Sequence, residues 1–454
     1  MKRPTILEPA REIPVVGEFD LCVIGGSCTG VFAAVRAARL GLRVAVVEQN
    51  ILLGGMAVAA QVNEWHSLHD TAGETLIIGG LTREVLDRLC GRGMVGDCVR
   101  QHRGPYFQFN SAEMALELDA LAVEEGVQLF LKTSCVSAVR EGARVEAAII
   151  EDKSGRRAIR ARVFIDASGD GDLLRRAGFS AWKNDTLQPV NYQMLAAGFH
   201  RLQESTGRHA WDTVKHLAKE FAYPLENGTP WINGYPAPAD VSNIYGPRMN
   251  GVDASDAAQL TEAVLSGRRH LRVLLGMVRQ ECGPQVAALA LAHALGVRET
   301  WHAACLHRLN AEDLLAGKFF TDTIAAGTYP VDVHSPEGTI LRYLDGREEV
   351  ISRDAGRIWR RWRDETVSTP PCYHIPYRCL VPQGAENLLV AGRLLDADRE
   401  AFGGVRVMVN MNQTGEAAGV AAFLALRENV PVPAVESGLL QKTLREGGSA
   451  LPVG

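Results

Sequence analysis

Acidic Glu18 and Asp20 give way to the unbroken apolar run Leu21 to Ile24, which stops at Gly25 and Gly26. A short apolar run with polar flanks and a glycine stop predicts a buried parallel strand. Residues 31–42, VFAAVRAARLGL, then place apolar side chains at helical spacing in an alanine-rich stretch, predicting a helix. After Gly41 the run RVAVVEQN predicts a second strand ending at Glu48. The order is therefore strand, glycine turn, helix, strand.

The same reading continues along the chain. SAEMALELDALAVEEG (111–126) predicts a helix capped by Asn110 or Ser111, and VQLFLKT (127–133) with the runs as far as Asp172 predicts strands. A further helix is expected over 260–280. Residues 286–297, VAALALAHALGV, are apolar enough for a buried helix. Gly403 and Gly404 precede VRVMVNMNQTGEAAGVAA (405–422), which reads as one long helix with small residues along one side. Asp332 and His334 alternate in an extended run and so face the same side.

Composition changes this picture mainly by exclusion. A chain of 454 residues has room for two or three domains or one large interleaved body. With 46% hydrophobic and 22% charged residues and a net charge of -5, it carries no basic footprint for nucleic acid. No stretch approaches the roughly 18 apolar residues of a membrane span, and Lys2 and Arg3 have no apolar segment behind them, so a cytoplasmic protein is expected. Nine cysteines without a C-x-x-C pair argue against a disulfide scaffold and a zinc site, and no metal is expected.

The glycine turn carries the first candidate chemistry. Gly25, Ser27 and Gly30 occupy the three glycine positions of a dinucleotide-binding turn, with serine at the middle one. Serine is small and can hydrogen-bond a phosphate oxygen, while Gly26 and the helix N-terminus keep backbone amides available to an anion. Glu48 stands where such a unit places the carboxylate that accepts from the ribose hydroxyls. A second double glycine, Gly54 and Gly55, suits a flavoprotein, whose backbone must pass close to the ribityl and pyrophosphate groups.

The run from Asp20 to Ala60 resembles the FAD-binding start of the glutathione-reductase superfold, which includes fumarate reductases and glucose-inhibited-division-like proteins. RVFIDASGDGDLLRRAGF (162–179) and ENLLVAGRLLDADREAFGGVRVMVNMNQTGEAAGVAA (386–422) are similar to its returning strand and its closing strand and helix. GVDASD, GVRET, TYPVDVHSPEG and HIPYRCLVPQGAENLLVAGR resemble the family called FAD-dependent oxidoreductases. The resemblance implies FAD as cofactor and an α/β fold: a Rossmann-like, glutathione-reductase-type three-layer domain interleaved with an α+β substrate domain. The FAD-binding pieces are then 19–66, 110–180 and 377–428, with substrate-side segments at 67–109 and 181–376 and a tail at 429–454. The expected cofactor residues are Gly25, Gly26, Ser27, Cys28, Thr29, Gly30, Glu48, Gly54, Gly55, Met56 and Val136, then Ala167, Ser168, Gly169, Gly392, Arg393, Gly403, Gly404, Val405 and Arg406. Gly403 and Gly404 would start the helix that faces the flavin, with Arg406 adding positive charge beside N1. Thiol-disulfide reductases carry a cysteine pair just after the second double glycine. Met56 to Ala60 stand there instead, so no flavin-disulfide relay is expected. Cys28 starts a helix, which favours a lowered thiol pKa, yet no partner cysteine stands beside it. Only one dinucleotide loop is present, and no separate NAD(P)H domain is visible.

Histidines lead the acid-base candidates because their pKa lies near operating pH. His374 in PCYHIPYR comes first, with Tyr373 to assist proton transfer and Arg378 to anchor an anionic group; alternatively, Tyr377 and Arg378 fix the domain junction. His334 with Asp332, and His66 with His69, come second. The Asp332 and His334 pair equally suits a metal-ligand fragment or a structural contact, and His66 a covalent flavin bond whose preceding sequence pattern is absent. Arg248 and Arg298 are substrate-binding candidates. The expected function is dehydrogenation of a polar small molecule by hydride transfer to flavin N5. Its rivals are a flavin-dependent reductase of an activated C=C bond, which an arginine-rich acid site would favour, and a non-catalytic FAD-bound electron-transfer subunit. The expected partners are the small-molecule substrate, an electron acceptor of unspecified identity and a second copy of the chain, with neither nucleic acid nor membrane.

Overall fold

The computed structural model describes residues 5–96, 106–199, 201–202, 207, 210–218, 230–238, 240–352 and 356–452. Cys98 lies outside them, and Cys22, Cys28, Cys135, Cys305, Cys372 and Cys379 are buried free thiols.

The predicted first strand is the inner end of β1 (Val15–Ile24), which is followed by α1 (Cys28–Arg39) and β2 (Val44–Glu48). β1 runs parallel to β2 on one side and to the strand Gly155–Asp166 on the other. Gln128–Leu131 continues the parallel sheet beyond β2, and Leu388–Val390 closes it against residues 164–166. The other half of Gly155–Asp166 pairs antiparallel with Arg144–Asp152, which in turn pairs with Ser134–Glu141.

Strand alternation decides the layers. Leu21 and Val23 join one core with Phe32, Val35 and Ala418, whereas Cys22 and Ile24 join another with Ile150, Phe164 and Leu173. Burial on both faces is what a parallel sheet requires. The first face is covered by α1 and the helix Met408–Arg427, which cross closely. A Cβ added at Gly415 would lie 2.1 Å from the Thr29 carbonyl oxygen, and one at Gly419 2.3 Å from that of Ala33. Only glycine lets this helix rest on the α1 backbone. A buried ion pair pins the crossing: Arg36 Nη2 donates to Glu416 Oε2 at 2.5 Å, and Glu416 Oε1 accepts from the Leu81 amide at 2.9 Å.

A third core surrounds Tyr192, Met194, Leu271 and Leu274. It lies between the helix Ala257–Cys282 and a four-stranded sheet ordered Trp231–Gly234, Val241–Tyr245, Gln193–Ala197, Ala287–Leu291. Residues 286–297 thus correct the expectation of a buried helix. Ala287–Leu291 is an edge strand paired with Gln193–Ala197, and Leu289 and Leu291 are exposed. A short all-apolar run has no period to separate helix from strand, and here sheet pairing decided. A further antiparallel sheet starts with Val331–Ser335, whose first strand lies beneath the helix Arg399–Val405. The long helix expected from residue 405 is divided. Gly403, Gly404 and Val405 end one short helix, Arg406 caps it, and Val407 opens the helix Met408–Arg427. The reason is packing: a Cβ at Gly403 would lie 2.9 Å from the Asp332 carbonyl oxygen, so the glycine pair seats the short helix on the neighbouring strand.

Candidate active site

The glycine turn after β1 is held from several sides. Gly25 has φ +102°, and its amide donates to Val47 O at 2.8 Å; the Gly26 amide donates to Glu48 Oε2 at 2.6 Å. The other Glu48 oxygen accepts from the Asn50 amide at 2.8 Å and side chain at 2.7 Å. Burial raises the Glu48 carboxyl above its usual range, against these donors. Ser27 is the N-cap of α1, its Oγ accepting from the Gly30 amide at 3.3 Å. Serine at the middle position therefore closes the helix start, and Cys28 and Thr29, in the first turn whose amides lack intrahelical acceptors, line the cavity. The second double glycine packs against the first: the Gly54 amide donates to Gly26 O at 2.7 Å, and a Cβ at Gly55 would lie 2.7 Å from Ser27 Cβ. Burial pushes the Cys28 thiol up to about 12, outweighing the helix start and making it a packing group.

One continuous cavity of about 2010 Å³ runs from this turn into the space between the two antiparallel sheets. Glu48, Met56, Val136, Ala167, Ser168, Gly169, Gly392, Arg393 and Arg406 line it, together with Gly25, Ser27, Gly54 and Gly55. Gly26 and Gly30 support the turn from behind, and Gly403, Gly404 and Val405 do not reach the cavity. Arg393 is clamped, donating to Asp170 Oδ1 at 2.7 Å and Thr300 Oγ1 at 2.6 Å.

The strand Val331–Ser335 brings a polar cluster to the same cavity. Tyr329 donates to Asp332 Oδ2 at 2.8 Å, Arg406 Nη2 donates to that oxygen at 2.7 Å, and His334 Nε2 lies 3.3 Å from Oδ1. His334 Nδ1 meets Thr339 Oγ1 at 2.8 Å, and the His66 ring lies 4.2 Å from the Tyr329 ring. Burial alone would raise the Asp332 carboxyl; His334, Arg406 and the Tyr329 hydroxyl outweigh it and hold Asp332 well below the carboxylate range. Burial, then the Arg406 charge, pushes His66 down to about 4, and burial pushes His334 down to about 3 despite Asp332. Both imidazoles are neutral at neutral pH.

His374, Tyr373 and Arg378, the leading candidates from the sequence, are placed elsewhere and line no part of this cavity. His374 is buried between Phe319, at 5.2 Å between rings, and Cys372, whose Sγ lies 3.8 Å from Nε2. Tyr373 donates to Gly404 O at 2.8 Å, and Arg378 pairs with Asp322 at 2.9 Å. The pairing of Tyr373–Pro376 with Thr323–Gly327 turns this segment inward, away from the cavity. His69 also lies off the cavity, whereas His66, His334, Arg248 and Arg298 line it. Tyr329 was missed, although Tyr329, Asp332 and His334 stand within six residues of each other. So were Gln193 and Asn412, whose environment no local pattern reveals.

The family described as FAD dependent oxidoreductase matches residues 20–444. The chain belongs to this family.

Among curated proteins, this FAD-dependent oxidoreductase is 41% identical over 66 residues to mitochondrial dihydrolipoyl dehydrogenase of Schizosaccharomyces pombe, spanning 13% of each chain. Among solved structures, it is similar to a geranylgeranyl bacteriochlorophyll reductase-like protein of Thermoplasma acidophilum (12% identity, 95% of this chain and 83% of that one, TM-score 0.46). It is also similar to the myxobacterial chondrochloren halogenase CndH (13% identity, 95% and 78%, TM-score 0.46).

The cavity of this FAD-dependent oxidoreductase fits its cofactor on its own terms. Asn412, in the helix Met408–Arg427, is 1% exposed and lines the cavity with neither amide oxygen nor amide nitrogen hydrogen-bonded. Leaving both unmet is costly unless a bound group carrying a donor and an acceptor completes them, as a flavin does. The turn from Gly25 to Gly30 would hold the pyrophosphate, and Glu48 the ribose. Glu48→Ala removes the acceptor for three donors, and hydrogen bonds to charged groups contribute about 1.5–3 kcal/mol each. FAD affinity should fall at least ~10-fold, read by flavin fluorescence on titrating the apoprotein; unchanged affinity would remove Glu48 from the nucleotide site.

Proposed function

We propose that this enzyme dehydrogenates a polar small molecule in the part of the cavity walled by Val331–Ser335. His66 takes the proton. The observation that carries this reading is the convergence of Tyr329, Asp332, His334, Arg406 and His66 on one cavity wall. FAD held at the turn from Gly25 to Gly30 would supply the hydride acceptor for the oxidation of a substrate alcohol to a carbonyl.

The chain's own task is the proton. The neutral His66 imidazole accepts the one released from the substrate hydroxyl, while Asp332, ionised and paired with Arg406, holds the Tyr329 hydroxyl, whose ring packs on that of His66. The proton is then passed outward, because burial disfavours a lasting charge on that ring.

The pH dependence follows in sign. Both histidines are neutral above their depressed pKa values, so the active base form persists as pH falls through the ordinary histidine range. The acid limb of kcat/KM is expected below about 5, not near 6.5. An acid limb near 6.5 would contradict this assignment. The reaction itself is tested by anaerobic photometry of the flavin band near 450 nm, characteristic of oxidised flavin. Hydroxylated substrates should bleach it, and His66→Gln should slow bleaching by about 10²–10⁴. If only reduced viologen with an activated alkene gives turnover, the reductase reading replaces this one. Arg248 and Arg298 in the cavity wall favour that second reading, since guanidinium groups stabilise the negative charge that develops on such an alkene.

A further inference from the structure

Three arginines line the cavity beside the polar cluster, and only one of them has an acid. Arg406 is paired with Asp332. Arg248 donates to the Thr339 hydroxyl at 2.9 Å and Arg298 to the Pro189 carbonyl at 2.7 Å, and neither meets a carboxylate among the described residues. They also face each other's charge. Burial, then Arg406 and Arg248, lowers Arg298 to about 9, and burial lowers Arg248 as well.

Asp332 acts on both arginines at longer range, and it and the other carboxylates of the wall have nearer partners. Asp332 already serves Arg406, Tyr329 and His334, and Glu349 pairs with Arg357 at 2.6 Å. Glu64 accepts from Asn233 at 3.2 Å, and burial raises its carboxyl toward the neutral form. Two cations drawn out of bulk water without an acid are costly, and that cost falls when an anion completes them.

A second observation points to the same ligand. Gln193 is 0% exposed, lines the cavity, and has no partner for either amide atom. It shares a wall with Arg298: a Cβ at Gly296, two residues before that arginine, would lie 2.8 Å from Gln193 Nε2. Two guanidinium forks and an amide are a donor set for a planar, bidentate oxyanion.

Resting on the dehydrogenase reading, we propose that the substrate is an organic acid whose carboxylate is held by Arg248 and Arg298, with Gln193 completing its hydrogen bonds. The neutral His66 imidazole then faces the polar group on the carbon skeleton, and the arginines orient the molecule without taking part in the proton step.

The test uses the FAD-loaded protein, titrated with oxalate, malonate and succinate, with their diamides, and with inorganic phosphate, by calorimetry and by flavin difference spectroscopy. At least one dicarboxylate should bind saturably and shift the flavin spectrum, with its diamide at least ~30-fold weaker. Arg248→Met and Arg298→Met should each weaken that dicarboxylate at least ~10-fold at unchanged FAD content and Tm, with the lysine variants intermediate. Equal binding of the diamides, binding of phosphate alone, or unaltered affinity in both methionine variants overturns the proposal. Calorimetry on the apoprotein separates the two readings: a protein that takes up no FAD sinks the dehydrogenase, while its heat of carboxylate binding still decides the arginine site.

Discussion

Gly30→Val is expected to give a colourless protein. A Cβ at this position would stand 1.8 Å from the Gly25 carbonyl oxygen, far inside contact distance and against backbone that cannot swing aside. Gly25 is itself fixed by its bond to Val47 O and by its φ of +102°, so the added carbon must push α1 away from β1 or unwind the turn. Either movement displaces the helix-start amides that would receive the pyrophosphate. Overpacking costs about 1–3 kcal/mol of stability, and the loss of cofactor retention should exceed ~100-fold. The ratio of flavin to protein absorbance reads this directly, and far-UV circular dichroism checks that the sheet persists. Gly41→Ala is the control. Its φ of +94° strains alanine, but nothing stands within 4 Å, so the variant should lose about 1 kcal/mol and keep its colour. A yellow Gly30→Val protein with full flavin content would show that this turn does not hold the nucleotide.

Asp332→Asn is expected to impair both stability and turnover. The carboxylate is the partner of Arg406, whose side chain is 11% exposed, and it also accepts from Tyr329 and holds His334. An amide leaves Arg406 as an uncompensated buried charge, a change that costs about 3–5 kcal/mol where solvent cannot reach. Thermal unfolding should register the loss, and kcat should fall ~10-fold or more because Tyr329, which packs on His66, loses the carboxylate that holds it. Tyr329→Phe separates the two effects. It removes one hydroxyl and leaves the ion pair, so Tm should hold while kcat falls ~10-fold. Equal losses of Tm in both variants would mean that the cluster serves folding alone.

The legible parts of this molecule are the ones built from neighbours in sequence. β1, α1 and β2 follow directly from Leu21 to Glu48, and Glu48 turns to the glycine turn because its strand ends beside it. The division at Arg406 was not legible. It depends on Gly403 meeting Asp332, a contact between segments far apart in the chain. His374 stood next to the return into the sheet, yet its side chain points into the space behind Phe319 because Thr323–Gly327 pairs with its strand. Arg406 was named for its charge, but its acid comes from Val331–Ser335, and no spacing ties the two together. Asn412 and Gln193 are ordinary amides in the sequence; only three-dimensional enclosure leaves them without partners.

The glycine contacts between these two segments, α1 and the helix Met408–Arg427, far apart in the chain, also set an order of events during synthesis. α1 leaves the ribosome long before the helix that rests on Thr29 and Ala33 through Gly415 and Gly419. At about 5–20 residues per second, the stretch between Ala33 and Gly419 occupies roughly 20–80 s. Throughout that interval Phe32 and Val35 have no lid, and the strand Leu388–Val390 that closes the sheet does not yet exist. A chain ending before Met408 is therefore expected to leave this face of the sheet uncovered and to retain no flavin, which its absorbance would show.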